Sequence, residues 1–304
     1  MTDELPYKDG NALWAAVAAR AKTEAQAFGA VAGALMRRFV VDRFLARMFA
    51  LPGDEWVLKG GNAVLTRVHD ARTTKDIDLL AELGDLDAAV ARLREAVEID
   101  LGDHFRFVIT GTRAASGGAM QSDIDGYEVS VDAYCGVKRR DRFTVDVVTG
   151  SLMTAKPDVQ TRPGLVPAVP PARVRLYSVV DHIADKLCAT QSTYGTAGDR
   201  PSSRVRDLVD LVVFARTQRI GGTELIEAID SEWAHRGLPG TPYFAPPENW
   251  DRLYPAEARR VPACGDTLTL AAATELVAAL LSPALDRTAT GMQWEPSSRS
   301  WVQT

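Results

Sequence analysis

Cysteine is scarce in this chain, and the three present, Cys135, Cys188 and Cys264, lie too far apart to form a CxxC pair. That excludes a zinc ribbon or a disulfide framework and predicts three small buried hydrophobes. Histidine is scarce too: His69, His104, His182 and His235 show no metal-ligand spacing, and none is assigned a catalytic part. No apolar stretch approaches the length of a membrane span. Met1 to Gly10 is acidic and polar where a signal peptide would begin basic, so the expected location is cytoplasmic, without membrane contact. Nor is positive charge in surplus. A formal net charge of −5 argues against coating nucleic acid by bulk electrostatics, which rests on Lys and Arg neutralising phosphates. Local basic grooves stay open as readings: Lys138 to Arg142, the run Arg37, Arg38, Arg43 and Arg47, and the pair Arg204 and Arg206, with plain surface solvation as the alternative for each.

What is present is ordinary globular composition, 46% hydrophobic and 25% charged, over 304 residues, enough for two packed domains. Asn11 to Ala50 lacks proline, and Val41, Phe44, Leu45 and Met48 recur at helical spacing, so the N-terminal region reads as helix. Trp56 to Leu58, Lys59-Gly60-Gly61 and Asn62 to Val68 read as strand, glycine turn and helix. Asp76 to Leu80 reads as a strand, Leu86 to Val97 as a helix, and Phe105 to Thr110, Tyr127 to Tyr134 and Phe143 to Val148 as further strands. Prolines cluster between Pro157 and Pro171, which marks a linker between a domain at 1–156 and a mainly helical one at 172–304. In the latter, Ser178 to Asp181 resembles a capping box opening a helix that carries Lys186. A Ser/Thr/Gly loop is expected at Ser192 to Ser203, helices at Arg204 to Thr217 and Leu268 to Leu281, a packed irregular loop at Gly237 to Pro262, and a weakly ordered tail after Asp286. The fold class is α+β, a mixed sheet flanked by helices.

The chemistry-bearing passage runs from Lys59 to Asp78. Two glycines at a strand end let backbone approach phosphates, and the following helix start offers free N–H groups to an anion. Asp76 and Asp78, one residue apart on a strand, point the same way and could hold a hard cation such as Mg²⁺. Asp146, in the alternating stretch Phe143 to Val147, would supply a third carboxylate from a neighbouring strand. A lone DxD is weak, and two aspartates on a strand commonly face solvent; the combination of glycine turn, helix, aspartate pair and later aspartate is the layout of a minimal nucleotidyltransferase palm. Lys186 lies at the edge of an apolar stripe, from which it could reach a cleft or snorkel at the surface. Asp207 and Asp210 share a helix face, and Asp207 could simply pair with Arg204.

Three motifs, in order, resemble the AbiEii nucleotidyltransferase toxins and their mycobacterial MenT relatives, toxin halves of type IV toxin–antitoxin pairs. Lys59-Gly60-Gly61 with Arg72, Thr74, Asp76 and Asp78 is similar to the first motif, Asp185 to Ala189 to a helical lysine motif, and Arg204 to Leu211 to a closing Arg…Asp…Asp motif. The resemblance covers about Val57 to Ala215. It implies Asp76 and Asp78 as metal ligands, Lys186 on the triphosphate, Lys59, Gly60, Gly61, Arg72, Thr74 and Arg204 around the nucleotide, and Asp207 or Asp210 as functionally required. It further implies an NTP donor, CTP or UTP by preference, the 3′ end of tRNA as acceptor, blocked aminoacylation, and a cognate antitoxin. Arg206 departs from the pattern, since many members carry Lys there, and Arg and Lys are not interchangeable at a phosphate. Lys138 to Arg142 is the candidate RNA contact, and phosphorylation of Thr73 or Thr74 would set negative charge beside the metal-site carboxylates. Two alternatives stand beside this reading: the same chemistry on a small molecule or protein hydroxyl, and an idle binding module whose carboxylates only pair with Arg67, Arg72 or Arg204.

Overall fold

The N-terminal helical region is broken once. Helix α1 (Gly10–Phe28) is capped by the Asp9 carboxylate on Ala12 N and ends at Gly29, whose φ of 67° is the left-handed value a helix terminus needs. Helix α2 (Ala32–Met48) follows, and the periodic Val41, Phe44, Leu45 and Met48 are all buried, as expected. The computed structural model describes residues 5–29, 31–53, 55–114, 126–162, 164–193 and 202–303. Of the loop expected at Ser192 to Ser203, residues 194–201 lie outside the described residues.

A seven-stranded mixed sheet forms next, with order β3-β4-β5-β2-β1-β7-β6. Its strands are β1 (Trp56–Leu58), β2 (Ile77–Ala81), β3 (Phe105–Ala114), β4 (Gly126–Cys135), β5 (Lys138–Val148), β6 (Asp158–Thr161) and β7 (Arg173–Leu176). Strands β2 and β5, and β1 and β7, run parallel; the other pairs are antiparallel. Between them lie α3 (Gly60–Arg67) and α4 (Leu86–Val97), the latter capped by Asp85. Within 157–171, β6 pairs with β7, and the Arg162 guanidinium is buried against Asp42 and Thr66. The alternation along β5 decides the two faces of the sheet. Phe143, Val145 and Val147 are buried in a core shared with α1, α2 and α4, which turns Thr144 and Asp146 to the opposite side.

The second half is built on α5 (Val179–Gln191), α6 (Val205–Thr217), α7 (Gly222–His235), α8 (Tyr254–Ala258) and α9 (Leu270–Leu285). Its core takes in Val64, Val68 and Ala71 from α3 and the turn after it, so the helix that follows the glycine pair packs on the helical half. The weakly ordered tail expected after Asp286 is corrected: β9 (Met292–Glu295) and β10 (Ser300–Gln303) form a three-stranded sheet with β8 (Ile220–Gly221). Trp294 explains the order. It is fully buried, its indole N–H bonds Ala215 O at 2.8 Å, and Trp301 packs against its ring. All three cysteines are buried and free. Among the described residues no helix is long and apolar enough to cross a membrane.

Candidate active site

A cavity of about 1110 Å³ opens between the sheet and the helical half, and it brings together every metal- and nucleotide-site residue expected from the sequence except the fully buried Asp210, which lies behind its wall; Lys138 to Arg142 lie outside its lining. Asp78 and Asp146 are direct register partners on the parallel strands β2 and β5. Their α-carbons are therefore about 4.8 Å apart, with both side chains on the cavity face. Asp76 stands just before β2 on the same side, held by the Thr144 hydroxyl, which donates to its Oδ1 at 2.7 Å. Burial and the charges of Asp78 and Asp76 push the Asp146 carboxyl up to about 7, and burial likewise raises Asp78. Asp76, Asp78 and Asp146 form no ion pair with any described residue: Arg67 is spent on Asp158, Arg72 on Asp210 and Arg204 on Asp207.

The glycine turn closes over these carboxylates. Gly60 has a φ of 58°, and a Cβ there would sit 1.8 Å from Asp78 Oδ2, so only glycine lets the backbone pass. A Cβ on Gly61 would come within 2.9 Å of the Thr74 Cβ. Lys59 N donates to Asp78 O at 2.8 Å, and Asn62 Nδ2 to Asp76 O at 2.9 Å, tying the turn to the aspartate strand from both sides. No side chain caps α3, so its first amides remain available to an anion. The Lys59 ammonium bonds Ser151 Oγ at 3.0 Å and lies over the Tyr177 ring at 4.3 Å.

Across the cavity stands a buried charge network. Lys186 Nζ donates to Asp210 Oδ2 at 2.6 Å and Asp207 Oδ1 at 3.0 Å, Arg72 forks onto Asp210 at 2.9 Å through Nε and Nη2, and Arg204 Nε bonds Asp207 at 2.5 Å. Burial works against the Lys186 charge, but the two carboxylates outweigh it and hold the ammonium above its ordinary value. Asp207 is held below the usual carboxylate range against its own burial by Lys186 and Arg204. Asp207 and Asp210 thus position three cations at the cavity wall. Arg206 stands outside this network: exposed at the cavity's edge, it reaches Glu257 at 3.4 Å.

Sequence reasoning missed Arg236. It comes from the end of α7, bonds Asp185 at 2.7 Å and Glu232 at 2.7 Å, and with Lys59 holds Asp185 down to about 2 against burial. No local pattern announces it; only the packing of α7 on α5 brings it to the cavity. The run Arg37, Arg38, Arg43 and Arg47 is not a basic groove. Arg43 and Arg47 are buried in the first core, both bonded to Asp103.

The donor set suits a hard cation in chemistry, being all carboxylate oxygen, and the mutual repulsion within it is what a divalent ion would relieve. Among the described residues, no three carboxylate, imidazole or thiolate groups converge to enclose an ion by themselves. Magnesium fits such an open set, since it keeps waters and takes one or two carboxylates together with substrate phosphates.

A family model described as the nucleotidyl transferase AbiEii toxin of type IV toxin–antitoxin systems matches residues 43–289, well beyond the motif region. No curated protein matches the sequence. Among solved structures, MenT4, a nucleotidyltransferase toxin from Mycobacterium tuberculosis, superposes with a TM-score of 0.53 at 16% identity, covering 90% of this chain and 98% of its own. JHP933 from Helicobacter pylori gives a TM-score of 0.41 at 15% identity, covering 84% of this chain and 94% of its own. The chain shares its fold with MenT4, and the family model, which matches residues 43–289 and so most of the chain, establishes that it belongs to the AbiEii family of nucleotidyltransferase toxins.

Proposed function

We propose that this chain transfers a nucleoside monophosphate from an NTP, CTP or UTP by preference, to the 3′ end of tRNA, and that Asp76, Asp78 and Asp146 hold Mg²⁺ for the reaction. One juxtaposition carries the reading: Asp78 and Asp146 side by side in register, facing a glycine turn and the cations Lys186 and Arg72 across one cavity. Gly60, Gly61 and the free amides of α3 would receive the triphosphate, with Lys59, Lys186 and Arg72 as its counter-charges. When bound, the cation supplies Lewis-acid charge to phosphoryl oxygens and the attacking hydroxyl. The acceptor oxygen bonds to the α-phosphorus, the α–β phosphoanhydride bond breaks, pyrophosphate leaves, and the hydroxyl proton is released. Adding nucleotides to the tRNA end would block aminoacylation and stop growth. A cognate antitoxin is the partner the family's two-part systems imply.

Incubating the protein with total tRNA, Mg²⁺ and each labelled NTP in turn, beside an Asp76→Ala control, tests this directly. Label entering tRNA from one preferred NTP and lost in the control is the expected result. No transfer to tRNA, but transfer to a small molecule or a protein hydroxyl, would overturn the acceptor and keep the chemistry.

A further inference from the structure

The sheet does not end at the cavity. Asp78 pairs in register with Asp146, Asp146 with Glu128 on β4, and Glu128 with Arg113 on β3, so one row of charged residues crosses four strands on the site face. Further along the same face come Thr144 beside Ser130, Arg142 beside Asp132, and Tyr134 beside Arg106. The core face of these strands, Phe105, Phe107, Val129, Val131, Phe143 and Val145, is covered by α1, α2 and α4. On the site face beyond Asp146, Arg106, Arg113 and Arg142 are exposed.

Its arginines are presented outward on carboxylates less exposed than they are, Asp132 buried and Glu128 half-buried. Arg142 binds Asp132 through Nε at 2.6 Å and Nη2 at 3.1 Å, with side chains 59% and 5% exposed. Arg113 binds Glu128 through the same two nitrogens at 2.9 and 2.8 Å, with side chains 74% and 25% exposed. Arg139 adds a second cation to Asp132. A side-on pair of this kind fixes the guanidinium plane and leaves Nη1 outside the pair, which lowers the ordering cost of gripping a phosphate. Arg106, Arg113, Arg139 and Arg142 against Asp132 and Glu128 make this face net positive in a chain whose formal charge is −5. Arg106 also lies over the half-buried Tyr134 ring at 4.5 Å, a surface on which a base could stack. Arg140 has no part in this: beside the bulge in the β4–β5 pairing it turns away to lie over Trp14.

We propose that this face binds the single-stranded 3′ segment of an RNA acceptor, with Arg113 and Arg142 gripping its phosphates and so aiming its terminal hydroxyl at Asp146. The inference rests on the RNA-acceptor reading above. Distance favours a polymer over a small acceptor. Arg142 lies four strand residues from Asp146, about 13 Å, beyond the reach of a molecule bound at the reacting centre but within the last few nucleotides of a strand.

The test is fluorescence anisotropy of a 5′-labelled RNA hairpin with a single-stranded 3′ CCA tail, measured over a salt series with the full chain. Arg113→Gln, Arg142→Gln and the double variant are compared with Arg252→Gln, an exposed arginine away from the cavity. Each of the first two is expected to weaken binding about tenfold and to lower the log–log salt slope by about 1, with NTP binding unchanged in Arg142→Gln, which lies outside the cavity lining, and Arg252→Gln without effect. A double variant that binds the hairpin within twofold of wild type, with an unchanged salt slope, overturns the proposal. The tRNA-labelling assay separates the two readings. If wild type labels tRNA and the double variant does so with unchanged KM for tRNA, the surface is wrong and the reaction stands. If wild type labels a small molecule or protein and not RNA, the acceptor reading has failed and this surface with it.

Discussion

Lys186 Nζ lies 2.6 Å from Asp210 Oδ2, and the same carboxylate is forked by Arg72, so one fully buried aspartate fixes two of the cations that share a cavity with Asp78 and Asp146. Three charges share this arrangement, and taking away the central one leaves two buried or half-buried cations facing each other. Asp210→Asn is therefore expected to cost about 3 kcal/mol or more in stability, and to raise KM for the NTP as Lys186 and Arg72 lose their aim. Urea melts together with steady-state kinetics check both. An Asp210→Asn protein with wild-type stability and wild-type KM would show that the network positions nothing.

Gly60 tests the glycine turn. Alanine would place its methyl 1.8 Å from Asp78 Oδ2 in a backbone conformation L-residues resist at about 1–2 kcal/mol, so the turn or the aspartate must move. Displacement of about 1 Å at a reacting centre can cost two orders of magnitude in rate. Gly60→Ala is expected to lose at least tenfold in nucleotidyl transfer while staying folded. Gly84→Ala, where a Cβ meets nothing within 4 Å, should match wild type. Equal transfer rates in the two variants would remove the close-approach account.

How far the sequence reached depends on whether the signal was local. The Asp76-x-Asp78 pair, the glycine turn and the alternation around Asp146 are short-range patterns, and each sits where its periodicity put it. That Asp78 pairs with Asp146 depends on a parallel register between strands 68 residues apart, and no local spacing records it. The C-terminal strands were missed for a related reason: β9 and β10 are short and polar, and their order comes from burial of Trp294 against α6 rather than from propensity. Arg43 and Arg47 read as solvated or RNA-facing charges because Asp103, their partner, is more than fifty residues away. The same distance hides Arg236 from any motif.

Asp103 yields a stability prediction independent of the active site. Its carboxylate accepts from Arg43 Nε at 2.8 Å, Arg47 Nη2 at 2.7 Å and the Phe105 amide at 3.1 Å, all in the first core. Removing it strands two buried guanidiniums, so Asp103→Ala should lose about 3–5 kcal/mol in urea unfolding. Replacing an exposed partner, as in Arg20→Ala beside Glu24, should change stability by less than about 1 kcal/mol. A small loss at Asp103 would mean that water or rearrangement reaches the arginines.

His182 gives the pH dependence. It is 1% exposed between the Tyr177 and Phe214 rings, and neither ring nitrogen has a partner among the described residues. Burial, and then the charges of Lys186, Arg67 and Lys59 against that of Asp207, lower its pKa well below the ordinary 6.5. The folded state therefore binds fewer protons than the unfolded chain between the lowered value and 6.5, so stability rises with pH through that window and is lost as pH falls below 6.5. Because the unfolded chain takes up this proton below 6.5 and the folded chain does not, wild type is expected to lose stability as pH falls from 7 to 5. His182→Phe keeps the ring volume and its aromatic neighbours while removing both unsatisfied nitrogens. At pH 7 it should be as stable as wild type or more so, by about 1 kcal/mol, because a buried unpaired polar group is costly. At pH 5 the gap should be wider than at pH 7, since the variant no longer has a proton to exclude. Urea titrations of both proteins at pH 5, 6 and 7 give the comparison directly. Parallel curves across that range would show that His182 takes up its proton in the folded state, with Asp207 or an internal water as the partner that stabilises it.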